Sequence, residues 1–173
     1  MPIAAINIRA ERPADKDAIK RIHTEAFLTE VEAKVVDALR ESGEHLISLV
    51  AEDGDDLVGH ILFSPVTLTG DERDLRIMGL APMAVLPTHQ GRGIGTRLVE
   101  QGLKCCQQNG YDAVVVLGHA NYYPRFGFHP ADEYGITSEF DVPPGAFMVI
   151  ELKAACLKGH PGTIRYHAAF SKF

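Results

Sequence analysis

Val85-Leu86-Pro87-Thr88-His89-Gln90-Gly91-Arg92-Gly93-Ile94-Gly95 is the stretch on which the reading of this chain turns. Before it, residues 77–85 form an apolar run that reads as a mostly buried strand; after it, Ile94, Leu98, Gly102 and Cys106 recur at helical spacing. A glycine-rich turn between strand and helix lets several backbone N–H groups converge on an anion without side chains in the way, and the helix dipole adds to the attraction. Arg92 and Arg97 supply positive charge at the rim. Two well-known phosphate loops do not fit. The dinucleotide fingerprint needs a glycine where Thr96 stands and an acidic residue ending the next strand, which here ends in Gly118-His119. The nucleoside-triphosphate loop needs Lys before a Ser or Thr, whereas Gly95 runs directly into Thr96.

Working outward, Pro82 cannot donate to a ladder hydrogen bond, so a bulge or break is expected within 77–85. Residues 46–52 and 57–68 are rich in branched side chains and are joined by Asp53-Gly54-Asp55-Asp56, which predicts an antiparallel hairpin. A polar loop at 69–74 follows. At the N-terminal end, Ile6, Ile8 and Ala10 alternate as in a short strand, and Arg12-Pro13-Ala14-Asp15 supplies a turn with a helix N-cap. Ile19, Ile22 and Ala26 then mark one helix, and Val31, Val35 and Leu39 mark a second that stops near Ser42-Gly43; the two are expected to pack as a pair. The third helix should end near Asn109-Gly110, with 113–117 a buried strand behind it. The aromatic segment Tyr122-Tyr123-Pro124-Arg125-Phe126-Gly127-Phe128 comes next, and 147–152 and 164–168 are read as the last strands. No repeat or interdomain linker is present, which predicts one mixed α/β domain over residues 1–173.

A chain of 173 residues is long enough to bury roughly 70% of its unfolded surface and to fold without metal or disulfide. Its three cysteines, with Cys105 and Cys106 adjacent, have no metal-ligand spacing and read as buried thiols. No apolar run approaches the ~18 residues of a bilayer span. Met1-Pro2-Ile3-Ala4-Ala5-Ile6 lacks the features of a secretory signal, so a cytoplasmic location is expected. A net charge of -6 with no basic run argues against nucleic-acid backbone and anionic membrane as partners.

The quoted stretch resembles the acetyl-CoA motif of the GNAT N-acetyltransferase superfamily, with Gln90, Gly93 and Gly95 in its signature positions. Gly59-His60-Ile61-Leu62-Phe63-Ser64-Pro65, the aromatic segment and Tyr166-His167-Ala168-Ala169-Phe170 are similar to the small YhbS-type branch, so the resemblance covers nearly the whole chain. It implies a central, mostly antiparallel twisted sheet, splayed between its fourth and fifth strands and flanked by helices. It also implies acetyl-CoA as cosubstrate. Met83, Ala84 and Val85 would offer backbone groups to the pantetheine and acyl carbonyl, and Gly91, Arg92, Gly93, Ile94, Gly95 and Thr96 would hold the pyrophosphate. Asn121 either contacts coenzyme or shapes its turn.

An amine attacking a thioester needs a free lone pair, a donor for the developing oxyanion and a proton for the leaving thiolate. Tyr123 stands four residues before Gly127, as does the general-acid tyrosine of the resembled family, and a phenol of pKa ~10 holds its proton at neutral pH. The alternative is that Tyr123 only packs with Tyr122, Phe126 and Phe128. A backbone N–H near Val85 is the oxyanion donor that the family geometry implies. Residues 78–85 contain no carboxylate where many relatives carry a Glu, which leaves His119 or a water chain as base. Ala120 replaces the proline of many YhbS-type relatives. Glu25, Glu30 and Glu32 surround the junction of the first two helices, where the family builds its acceptor wall, and Ser64 is a further candidate for that cleft. The expected partners are acetyl-CoA and an amine acceptor in direct transfer; a non-catalytic acyl-CoA-binding domain of the same fold is the alternative. The oligomeric state is left open, a homodimer included, and no metal is expected.

Overall fold

The computed structural model describes residues 5–70 and 75–173; residues 1–4 and most of the polar loop expected at 69–74 lie outside them. In chain order the elements are β1 (Ile6–Ala10), α1 (Lys16–Phe27), α2 (Val31–Glu41), β2 (Ile47–Asp53), β3 (Asp56–Thr69), β4 (Ile77–Val85), α3 (Ile94–Gln108) and β5 (Ala113–Leu117). After these come β6 (His129–Pro130), β7 (Ile136–Ser138), β8 (Phe147–Glu151), β9 (Gly162–Arg165) and α4 (Ala169–Lys172). The strands lie in the order β1-β2-β3-β4-β5-β8-β6, and β9 joins β3 to β7 off that path.

β3 organises the sheet because it is long enough to pair with different strands along one edge. Its first part pairs with β2 through the tight Gly54-Asp55 turn, and its last residues, Thr67 to Thr69, pair antiparallel with β9. Alternation along β3 separates the two faces. A Cβ at Gly59 would meet Leu98 and Ile94 of α3, and Phe63 reaches Gly102 of the same helix. His60, of opposite parity, meets His23 of α1 instead. α3 therefore covers one face, and the α1–α2 pair the other.

The apolar stripe expected on α3 is the buried one: Ile94, Leu98, Gly102 and Cys106, joined by Val99 and Leu103. Fully burying each large member contributes about 1.5–3 kcal/mol relative to exposure. Asp15 departs from its expected role as a helix cap. Its carboxylate turns back to accept from the Arg12 amide at 2.6 Å and from Arg9 Nη1 at 2.7 Å, tying the α1 approach to β1. The C-terminal strand also lies earlier than 164–168, at Gly162–Arg165, because the chain leaves β3 at Tyr166 and turns into α4. β6 and β7, of two and three residues, are too short to carry a periodic signal.

Gly102 lets the Phe63 ring pack directly on the α3 backbone, since a Cβ there would clash with that ring. Replacing a helix-interior glycine by alanine ordinarily gains about 1 kcal/mol. Gly102→Ala should nevertheless destabilise the protein, by about 1–3 kcal/mol in urea denaturation, and Phe63→Leu in the same chain should recover part of the loss. A Gly102→Ala protein as stable as the parent would disprove this contact.

Candidate active site

The parallel pairing of β4 with β5 stops after Ile77↔Ala113, Met78↔Val114 and Gly79↔Val115. β4 itself runs on to Val85, still paired with β3 on its other edge. Its register shifts midway: Phe63 faces Leu80 and Ile61 faces Met83, so Ala81 and Pro82 together oppose Leu62. This is the bulge expected at Pro82, and bulges re-aim the strand that carries them. Beyond it, the main chain of Met83, Ala84 and Val85 presents to the β5 side an edge that no strand takes up among the described residues.

The glycine-rich turn begins where that edge ends. Leu86 N–H donates to Val58 at 2.8 Å, a 3-10 turn over Pro87–His89 follows, and Gln90 Nε2 donates to the Val85 carbonyl at 2.9 Å. Gln90 thus acts on the protein, closing the turn back onto β4. Gly91 and Gly93 have φ of +77° and +81°, and Gly93 is the N-cap of α3; a left-handed N-cap with no side chain needs glycine. The first amides of a helix have no partner within it. Those of Ile94, Gly95 and Thr96 donate to no other protein group among the described residues. They border a cleft of about 370 Å³ lined by Val85, Gln90, Gly93, Thr96, Tyr122 and Arg125. Ile94 turns its side chain into the core, leaving only its amide for a ligand, and Arg92 is exposed. Arg97 is not at the rim: its Nη1 donates to the Ile6 carbonyl at 2.7 Å.

Across the cleft, the carbonyl of His119 accepts the amides of Tyr122 and Tyr123 at 3.0 and 3.4 Å and coils the segment into a turn. The Tyr123 ring is buried edge-on against Tyr122 and Phe128, at centroid distances of 5.1 and 5.7 Å. Burial, then the neighbouring Tyr122 hydroxyl, push its pKa up to about 12, so the phenol keeps its proton throughout the neutral range. Tyr122 does more than pack. Its hydroxyl lies 3.2 Å from Thr96 Oγ1, and Arg125 stacks 4.4 Å above its ring. The phosphate-type turn and the buried phenol are joined through this one side chain. His119 and Asn121 have exposed side chains on the loop, and the Asn121 carbonyl accepts from Arg125 Nη2 at 3.4 Å.

Glu25 and Glu30 are exposed near the α1–α2 junction, Glu25 facing Arg21 at 3.6 Å, and Glu32 accepts from Thr29 Oγ1 at 3.1 Å. Ser64 departs from its expected place on an open cleft: it is fully buried on β3 and its hydroxyl has no partner among the described residues. Cys106 is buried on α3 with its thiol pushed up to about 12 by burial, then by Cys105, which makes it inert. Among the described residues no cluster of His, Cys, Asp or Glu is arranged to hold a metal.

A line of buried polar groups escaped the sequence reading altogether. Ser48 of β2 donates to Glu11 Oε1 at 2.7 Å, His60 Nε2 lies 2.8 Å from Ser48 Oγ, and His23 Nε2 lies 2.7 Å from His60 Nδ1. Both rings are fully buried. Two histidines 37 positions apart, one on a helix and one on a strand, carry no local signal that they will meet. The parity of β3 was the one clue, since it turns His60 inward with Leu62.

A family model for the Acetyltransferase (GNAT) domain matches residues 7–131. A sheet parted between β4 and β5 beside a glycine-rich helix start is the framework of that fold, and the chain belongs to the GNAT acetyltransferase family, in its YhbS-type branch. It is 37% identical over 167 residues to the uncharacterized N-acetyltransferase YhbS of Escherichia coli K12, covering 96% of this chain and 99% of that protein. The crystal structure of Escherichia coli YhbS in complex with CoA matches with a TM-score of 0.91, covering 97% of this chain and 93% of that one at 37% identity. A GNAT family acetyltransferase from Brucella melitensis in complex with acetyl-CoA matches with a TM-score of 0.79 at 35% identity, covering 95% of this chain and 97% of that one.

The buried histidines set a pH dependence. Burial, then His60, then Arg40 hold the His23 pKa down to about 3, against about 6.5 in an unfolded chain. The folded state then binds fewer protons than the unfolded one below that value. Stability contributed by neutral His23 is complete above about pH 6.5 and falls by about 1.4 kcal/mol per pH unit as the pH drops toward 3. Denaturation midpoints measured between about pH 7 and pH 5 should show this slope, and His23→Gln should flatten it.

Proposed function

We propose that the protein, acting as one domain over residues 1–173, transfers an acetyl group from acetyl-CoA to a primary amine of a small molecule or a protein by direct attack within a ternary complex. The observation that carries this reading is the set of amides of Ile94, Gly95 and Thr96, unpaired among the described residues and bordering a cleft whose opposite wall leads through Tyr122 to Tyr123. The cleft fits a diphosphate on its own terms: nothing stands within 4 Å of where a Gly91 Cβ would be, and Gly93 adds no side chain. Coenzyme-bound relatives support the same assignment.

In this reading the start of α3 holds the pyrophosphate, and the free edge of Met83, Ala84 and Val85 receives the pantetheine arm, as a strand edge accepts extended amides. The amine nitrogen bonds to the thioester carbonyl carbon while a main-chain N–H near Val85 stabilises the oxygen. The carbon–sulfur bond breaks, Tyr123 gives its proton to the departing sulfur, and the nitrogen gives up one proton to a base while the phenol regains one from solvent. Glu30 and Glu32 at the α1–α2 junction favour a cationic acceptor. Asn121 borders the coenzyme, and His119, exposed on the same loop, is the base candidate that the sequence offers.

The absence of a carboxylate in residues 78–85 favours a second reading, an acyl-CoA-binding domain without catalysis. Both readings expect acetyl-CoA to raise the melting temperature. Only the enzyme releases free CoA when mixed with a panel of primary amines, and a panel that yields none favours the binding domain. Tyr123→Phe should then lower kcat by about 100-fold while acetyl-CoA affinity changes little. An unaltered kcat removes Tyr123 as the acid.

A further inference from the structure

The hydrogen bonds in the buried line fix its tautomers. Burial raises the Glu11 pKa, but the neighbouring His60, Arg40 and Ser48 outweigh it and hold the carboxyl below its ordinary range, so Glu11 only accepts. Ser48 spends its single proton on Glu11 at 2.7 Å. The Ser48 oxygen must then accept from His60, which places the His60 proton on Nε2 and leaves Nδ1 bare. His60 Nδ1 accordingly accepts from His23 Nε2–H. One bare nitrogen remains at the inner end: His23 Nδ1, fully buried and without a partner among the described residues. A buried acceptor left unpaired has lost its water without compensation, so it calls for a donor from outside the protein.

Its surroundings say which donor. His60 pairs with Ala84, which puts the inner end one strand from the β4 segment read as holding the acyl group. His23 also stacks on Phe27 at 6.0 Å, beneath the α1–α2 junction. The outer end is wet: Glu11, Arg40 and Ser48 line a separate surface cleft of about 400 Å³. The charged groups facing the histidines are Glu11 and Asp15 from the β1–α1 connection and Arg40 from α2.

We propose that His23 Nδ1 is the base that takes the proton of the acceptor amine through one water, and that His60, Ser48 and Glu11 pass the charge to the outer cleft. This rests on the acetyl-transfer reading. As the amine loses its proton to His23 Nδ1, the His23 Nε2 proton moves to His60 Nδ1, the His60 Nε2 proton to Ser48, and the Ser48 proton to Glu11, which releases it to solvent. Each group ends with the charge it began with and no buried imidazolium accumulates, so the burial that disfavours charged histidine is no obstacle.

The test uses the full chain with acetyl-CoA. Long-range proton–nitrogen spectra of histidine-labelled protein should show His23 Nδ1 unprotonated near neutral pH; a proton there overturns the proposal whatever the enzyme does. For kinetics, His23→Gln keeps a nitrogen facing His60 and deletes Nδ1. With an amine that yields CoA, kcat near neutral pH should fall about 100-fold with the KM for acetyl-CoA unchanged. That deficit should shrink as the pH approaches the amine's own pKa, where solution does the deprotonation. Ser48→Ala, which interrupts the line near its solvent end, should show the same pH-dependent deficit in smaller measure and serves if His23→Gln does not fold. A deficit equal at all pH values, or none, overturns the base assignment. Wild-type protein inactive toward every amine would overturn the transfer reading, and the base role with it, whereas loss confined to the variants supports both.

Discussion

Everything at the site depends on β4 losing its partner. Parallel strands hold together through evenly spaced main-chain hydrogen bonds, and β4 forms only three residue pairs with β5 before the bulge at Ala81 and Pro82 redirects it. Pro82 has no N–H to offer a ladder, so the pairing could not continue unbroken past it in any case. The strand is held to β3 by its other edge out to Gly59↔Val85, which lets it diverge without fraying. The divergence delivers Gly91 and Gly93 to the mouth of the opening and starts α3 there.

The two walls of the opening are mechanically linked. Tyr122 belongs to the aromatic turn after β5, yet its hydroxyl reaches Thr96 on the first turn of α3, and its ring packs edge-on against Tyr123. A ligand that pulls on the α3 amides therefore acts on the neighbour of the buried phenol. Arg125 reinforces the link from outside by stacking on Tyr122 and donating to its carbonyl at 2.8 Å. A cluster that could have been inert packing is instead a strut between two parts of one cleft.

The sequence shows such features unevenly, for physical reasons. The hairpin at Asp53-Gly54-Asp55-Asp56, the stripe on α3 and the bounds of β4 and β5 were legible because each is set by neighbours a few positions apart. The glycine turn was legible too, since φ values of +77° and +81° demand its residue type. The buried line was not: Glu11, Ser48, His60 and His23 sit on four separate segments, and only the pairing of β1, β2 and β3 together with the packing of α1 on β3 unites them. Arg97 shows the opposite error, a charge beside a phosphate-type turn whose guanidinium is drawn to the Ile6 carbonyl by the close approach of β1. Gln90 is a milder case, matching a motif while its amide holds the turn shut.

The open flank of β4 also bears on how copies of this chain behave toward one another. A strand border with free amides and carbonyls ordinarily recruits any extended polypeptide, and proteins guard such borders with charge, proline or cover. Here the border lies in the middle of the sheet, with β3 on one side and β5 on the other, and it carries a proline of its own. A second molecule would have to thread a strand between two already joined at their base by Ile77↔Ala113, whereas a slender single-file chain can slide in from the open end. The geometry that makes room for a guest thus also keeps the protein from becoming its own.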